Sequence, residues 1–134
     1  MTRKSNTDYE IVEENDLFIG QRGDLAMTSS LLECAGLFIY SEDNIKGVLV
    51  HWQNREMVER LYSVLSQLRL ESPYAVIAGC GIPIECLSIN ESQTYQEVRE
   101  FLDKIEIPIR KEKVGLDHKI ELEVNFYDGY YILM

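Results

Sequence analysis

Positive charge is scarce in this chain of 134 residues, where 13 Lys and Arg stand against 23 Asp and Glu for a formal net charge of -10. That balance repels phosphate backbones and anionic lipid, so nucleic acid is not an expected partner. The acidity serves solubility or meets a basic patch on a partner protein. Cysteine is sparse and odd in number, at Cys34, Cys80 and Cys86, so reduced thiols are expected rather than a disulfide framework. No apolar stretch approaches the length of a membrane span, and no membrane insertion is expected. The start, Met1 to Asp8, has two positive charges but no apolar run behind them. A cytoplasmic protein is the expectation, with export by a route that needs no cleavable signal as the alternative. His, Cys, Asp and Glu nowhere fall at zinc or calcium spacing, and no glycine-rich phosphate loop occurs. Neither a metal nor a nucleotide cofactor is therefore expected.

What the chain does contain suffices for one core. It is 46% hydrophobic with eight tyrosines, and it has no internal repeat, low-complexity tract or linker. The reading is a disordered start over 1–8 and a single domain over 9–134. Tyr9 to Glu13, Leu17 to Gly20 and Leu25 to Ser29 read as short strands between turn-prone residues. Residues 34–40 and 45–52 are apolar on both faces around Ser41-Glu42-Asp43-Asn44, which predicts a hairpin buried between two layers. Asn54 suits the cap of a helix carrying Met57, Val58, Leu61, Tyr62, Leu65 and Leu68 on one stripe toward the sheet. Tyr74 to Gly79 and Ile84 to Ile89 read as strands, with Cys80 and Cys86 in the core. A second helix, Ser92 to Ile105, places Tyr95, Val98, Leu102 and Ile105 on one face and stops before Pro108. The tail reads as strands over 107–114, 118–126 and 130–134. The expected class is α/β, a layered α-β-β sandwich with mixed or antiparallel sheets and about two helices on one face.

Two reactive residue types frame the hairpin. With the turn centred on Glu42 and Asp43, directly opposite residues sum to 85, which makes Cys34 and His51 a cross-strand pair on one face and sets Phe38 against Gly47. A thiol is useful as thiolate, and a neighbouring imidazole takes its proton near neutrality. Cys34 is thus the candidate nucleophile and His51 the candidate base, the alternative being a buried structural thiol and a satisfied histidine. His118 is read as a solvated residue at the start of a strand.

Thr28-Ser29-Ser30-Leu31-Leu32-Glu33-Cys34, then Ile39-Tyr40 and Gly47-Val48-Leu49-Val50-His51, resemble the signature of the CheD protein glutamine deamidases. The threonine stands six before the cysteine and the histidine seventeen after it. Val98-Arg99-Glu100-Phe101-Leu102, Ile107-Pro108-Ile109 and Lys113-Val114-Gly115 follow in the family's order, so the likeness spans roughly residues 17–126. It implies an α-β-β fold shared with toxins of the cytotoxic necrotizing factor type, no cofactor, and a protein substrate with an accessible glutamine, in a bacterial chemoreceptor or a host protein. It also implies that Cys34 is the nucleophile, His51 its base and Thr28 the residue that orients His51. Where the family has glycine and serine before the cysteine, this chain has Leu32 and Glu33. A binding module that keeps the fold and regulates a partner is the rival expectation.

Overall fold

The computed structural model describes residues 9–81, 92–116 and 118–133. The polar start, the expected strand Ile84 to Ile89 and Cys86 lie outside the described residues. The elements run β1 (Glu10–Ile11), β2 (Leu17–Gln21), β3 (Leu25–Leu31), β4 (Ala35–Ser41), β5 (Lys46–Trp52), α1 (Met57–Leu68) and β6 (Tyr74–Gly79). They continue with α2 (Gln93–Lys104), β7 (Ile109–Val114), β8 (Ile120–Asn125) and β9 (Gly129–Leu133). The strands form a four-stranded sheet, β1-β3-β8-β9, and a five-stranded sheet, β2-β5-β4-β6-β7.

Strand alternation divides the core into two sides. From β4, Ala35, Leu37 and Ile39 pack with Met57 and Leu61 of α1 and Val98, Phe101 and Leu102 of α2. Its intervening residues Phe38 and Tyr40 pack with Ala26, Leu122, Val124 and Phe126. Helices, five-stranded sheet and four-stranded sheet therefore stack as three layers, the expected α-β-β sandwich. Every residue of β4 is buried, as a strand covered on both faces requires. On β8 buried residues alternate with half-buried ones, Glu121, Glu123 and Asn125, on the sheet's outer face.

Phe126 joins the two sheets. Its fully buried ring meets Phe38, Tyr40 and Phe18 edge-on at centroid distances of 5.5, 5.9 and 6.0 Å. Burying such a side chain contributes about 1.5–3 kcal/mol, with the aromatic pairing adding to it. Gly20 makes the room, because a Cβ there would fall 2.3 Å from the ring.

Two local expectations change. Asn54 does not cap α1: its Oδ1 accepts from the Glu56 amide at 2.9 Å in a turn, and Glu56 takes the cap position without a side-chain bond. Of the apolar stripe, Met57 and Leu61 are buried, but Tyr62 stays 40% exposed and packs edge-on against Phe101 of α2 at 5.0 Å. Ser92 does cap α2, accepting from the Tyr95 amide at 3.2 Å.

The hairpin register differs as well. Ser41 pairs with Lys46, Phe38 with Leu49, Tyr40 with Gly47 and Gly36 with His51. Opposite residues sum to 87 rather than 85, so Cys34 is not directly opposite His51 and Phe38 is not opposite Gly47. The loop is the cause: it spans Glu42 to Ile45, with Ile45 left-handed at φ 55° and its amide bonded to the Ser41 carbonyl at 2.9 Å. Ser41 Oγ accepts from the Asn44 amide at 3.1 Å, and Asn44 Oδ1 accepts from the Glu71 amide at 2.6 Å, which ties the longer loop to the chain after α1.

Candidate active site

His51 follows Leu49 by two positions on β5, so its side chain turns toward the inter-sheet layer, where it is only 3% exposed. It meets Thr28 of β3 there, a fully buried residue of the other sheet. His51 Nδ1 and Thr28 Oγ1 are 2.7 Å apart, and Thr28 Oγ1 donates to the Val12 carbonyl at 2.8 Å.

Counting protons fixes the direction of the first bond. A threonine hydroxyl has one proton, and Val12 takes it, so Oγ1 must accept from Nδ1–H. The neutral ring then keeps its lone pair on Nε2, which is the tautomer assigned by the network. Nε2 is buried and has no hydrogen-bond partner among the described residues. The backbone of His51 is pinned too, its amide donating to the Asp16 carbonyl and its carbonyl accepting from the Asn15 amide, both at 3.0 Å.

Cys34 sits in the bend between β3 and β4, immediately before Ala35, and is half-buried. Its carbonyl accepts from the Cys80 amide at 2.9 Å, and the Leu32 carbonyl accepts from the Gly81 amide. Close approach of these two backbones requires Gly79, at φ +97°, where a Cβ would stand 2.4 Å from the Cys34 carbonyl oxygen. Leu31 lies between the two sites: its side chain bounds Gly79 on one side and Gly36, the residue opposite His51, on the other. Cys34 lies in the bend outside β4, whose pairing with β5 ends at Ala35 and Trp52, so the expected opposite pair is not formed. No hydrogen bond joins Cys34 to His51.

The electrostatics hold both groups neutral. Burial pushes the Cys34 thiol above its ordinary value, and the charges of Glu14 and Glu33 push it further. Burial lowers the His51 imidazole, while Glu14, the Val12 carbonyl and Glu13 work in the other direction. Cys34 therefore rests as a protonated thiol, and His51 keeps an Nε2 lone pair with no partner among the described residues. Cys80, fully buried, is raised to about 12 by burial first, and is inert at neutral pH.

Thr28 and His51 are thus brought into contact, and Cys34 is placed at the adjoining bend. His118 is exposed just before β8, whose Ile120 pairs with Leu31 of β3. The sequence reading missed Val12, Glu13 and Glu14 as site neighbours. Their segment is polar and turn-like, and only the pairing of β1 with β3 and the backbone bonds to His51 bring it there. Gly36 and Gly79 were visible as glycines but not as spacers around Leu31. Among the described residues no three His, Cys, Asp or Glu side chains are grouped to hold a metal ion, and no helix is long and apolar enough to cross a membrane. No protein-family model matches the chain, and no curated protein matches it significantly.

Proposed function

We propose that the chain is a cysteine-dependent protein glutamine deamidase that converts a glutamine side chain of a protein substrate to glutamate, in keeping with its resemblance to the CheD deamidases. The observation that carries this reading is the Thr28–His51 bond. It directs the Nδ1 proton away and leaves Nε2 as an unpartnered base in the layer next to the Cys34 bend. Most buried side-chain nitrogens have a hydrogen-bond partner, and a lone pair left open suits a proton-transfer site.

In the proposed reaction Nε2 takes the Cys34 proton as Sγ attacks the glutamine amide carbon. The imidazolium returns that proton to the amide nitrogen, the carbon–nitrogen bond breaks and ammonia leaves a thioester. Water, deprotonated by Nε2, then attacks the thioester carbon, and the carbon–sulfur bond breaks to give glutamate and regenerate the thiol. Thr28 keeps the ring in the tautomer that both steps use. The substrate glutamine belongs to a chemoreceptor of the producing cell or to a host protein met after export. Purified wild type and Cys34→Ala, incubated with glutamine-bearing proteins, are compared by ammonia release and by the amide-to-acid mass shift. Release by wild type alone is expected, and equal activity in the two overturns the nucleophile.

A second reading has one observation in its favour. Burial, Glu14 and Glu33 all oppose the Cys34 thiolate, as suits a binding module that keeps the fold without the chemistry. Alkylation by iodoacetamide separates the two. The deamidase reading expects Cys34 to react faster than an isolated thiol of the same pKa and to lose that advantage in His51→Ala. The module reading expects slow reaction that the histidine substitution does not change.

A further inference from the structure

On the helix side of the five-stranded sheet, α1 and α2 leave between them a cleft of about 60 Å³, several times what one water needs. Its buried polar member is Glu97 of α2, whose side chain is only 6% exposed. Glu97 Oε1 accepts from the Trp52 indole nitrogen at 3.1 Å, and Oε2 accepts from Gln93 Nε2 at 3.2 Å. A carboxylate has about four lone-pair sites, so each oxygen keeps one beyond these two bonds. Burying a carboxylate is costly unless a cation is hydrogen-bonded to it. Among the described residues no cation is. Arg55 Nε stands 3.9 Å from Oε2, outside hydrogen-bond reach, on a side chain 65% exposed. Lys104, at the mouth of the cleft, pairs loosely with Glu100 at 3.9 Å. Val58, Tyr62 and Phe101 supply an apolar and aromatic wall.

We propose that this cleft is a binding site for an alkylguanidinium or alkylammonium cation, carried by a free small molecule or by an arginine or lysine side chain of another protein, with Glu97 as the anchor. Two parallel N–H groups of a guanidinium match the two remaining lone pairs of the carboxylate, the fork geometry in which this pair is strongest. Tyr62 and Phe101 add the aromatic surface that favours guanidinium over ammonium. Arg55 marks the kind of group the cleft attracts, and its loose, exposed pairing is readily displaced. The incoming cation exchanges a weak surface contact for a hydrogen-bonded pair with a carboxylate already out of water. The site does not depend on the deamidase chemistry.

Trp52 is the only tryptophan in the chain and its indole N–H is bonded to Glu97, so its NMR cross-peak reports on the cleft. The protein is titrated with n-butylguanidinium, n-butylammonium and neutral n-butanol. Saturable shifts are expected from both cations and none from butanol, with butylguanidinium the tighter by about two- to fivefold. Glu97→Gln keeps an oxygen for the indole but loses the charge, and should weaken cation binding about 10- to 100-fold. Arg55→Ala removes the resident competitor and should tighten binding about two- to fivefold, while Tyr62→Ala should weaken it by a similar factor. Both of these lie at exposed side chains and keep the test decisive if Glu97→Gln does not fold. A peptide with one arginine among serines separates the two sources. Binding tighter than that of butylguanidinium marks a protein side chain, and weaker binding marks a free cation. Shifts that do not saturate, that butanol reproduces, or that Arg55→Ala and Tyr62→Ala both leave unchanged overturn the site.

Discussion

Thr28 has one proton to give and uses it on Val12, so its bond to His51 is one the imidazole must donate. Thr28→Val keeps the shape and removes the hydroxyl. The buried Nδ1–H and the Val12 carbonyl both lose a partner, at a cost of about 1–3 kcal/mol in stability. If Nε2 is the base, the ring is also free to carry its proton on the wrong nitrogen, and kcat for ammonia release should fall about 100-fold. Thr28→Ser restores the hydroxyl and should recover most of both losses. Urea denaturation and the ammonia-release rate, measured on the same preparations, check the pair of effects. A loss of stability with unchanged kcat would leave Thr28 a structural bridge between sheets and nothing more.

At the scale of elements, the Cys34 bend is placed by β6. Gly79→Ala adds a methyl within 2.4 Å of the Cys34 carbonyl oxygen at a backbone angle of φ +97°, so strain and collision act together. The expected loss is about 2–4 kcal/mol. Gly23→Ala is the control: it has a similar φ of +91° but nothing within 4 Å, and should lose only the conformational share, about 1 kcal/mol. Thermal denaturation gives both values. Because only the first substitution pushes on the bend, only it should also slow Cys34 alkylation or turnover. Equal effects of the two on Cys34 would show that β6 does not position the thiol. The same reasoning explains why the hairpin was legible and its register was not. Apolar runs announce β4 and β5, but two more loop residues cost little, and contacts of Ser41 and Asn44 with the chain after α1 settle the loop length.

Over the whole molecule, stability near neutrality combines opposing titrations. Glu121, on the outer face of β8, is raised to about 7 by burial, then by the hydrogen bond and charge of Glu123. Between its unfolded value of 4.5 and about 7 the folded state holds more protons than the unfolded state, so this group's contribution falls as pH rises through that window. His51 works the other way: its folded value lies below 6.5, so the unfolded state binds the extra proton and stability falls on acidification. Glu121→Gln removes the first effect and leaves the second. Its melting temperature should exceed that of wild type at about pH 8, with the difference shrinking toward about pH 5. Melting curves across that range check it. A difference independent of pH would mean that Glu121 does not titrate in the window.

The sequence by itself determined the layers. Its periodicities separate strands from helices, and two consecutive strands apolar on both faces require cover on each side, which leaves an α-β-β sandwich as the economical solution. It also singled out Cys34 and His51 as reactive residue types framing the hairpin, and the resemblance to the CheD deamidases added Thr28. The tertiary structure alone decided that Thr28 and His51 meet. Thr28 reaches His51 only because β3 and β5 lie in different sheets whose inner faces pack together, a contact between residues 23 apart that no local pattern encodes. The loop from Glu42 to Ile45 moved the register by two, and the turn at Glu13 and Glu14 came to the site through backbone bonds that any residue types would make. Side-chain pattern sets which face a residue takes; loop length and sheet pairing set what it meets there.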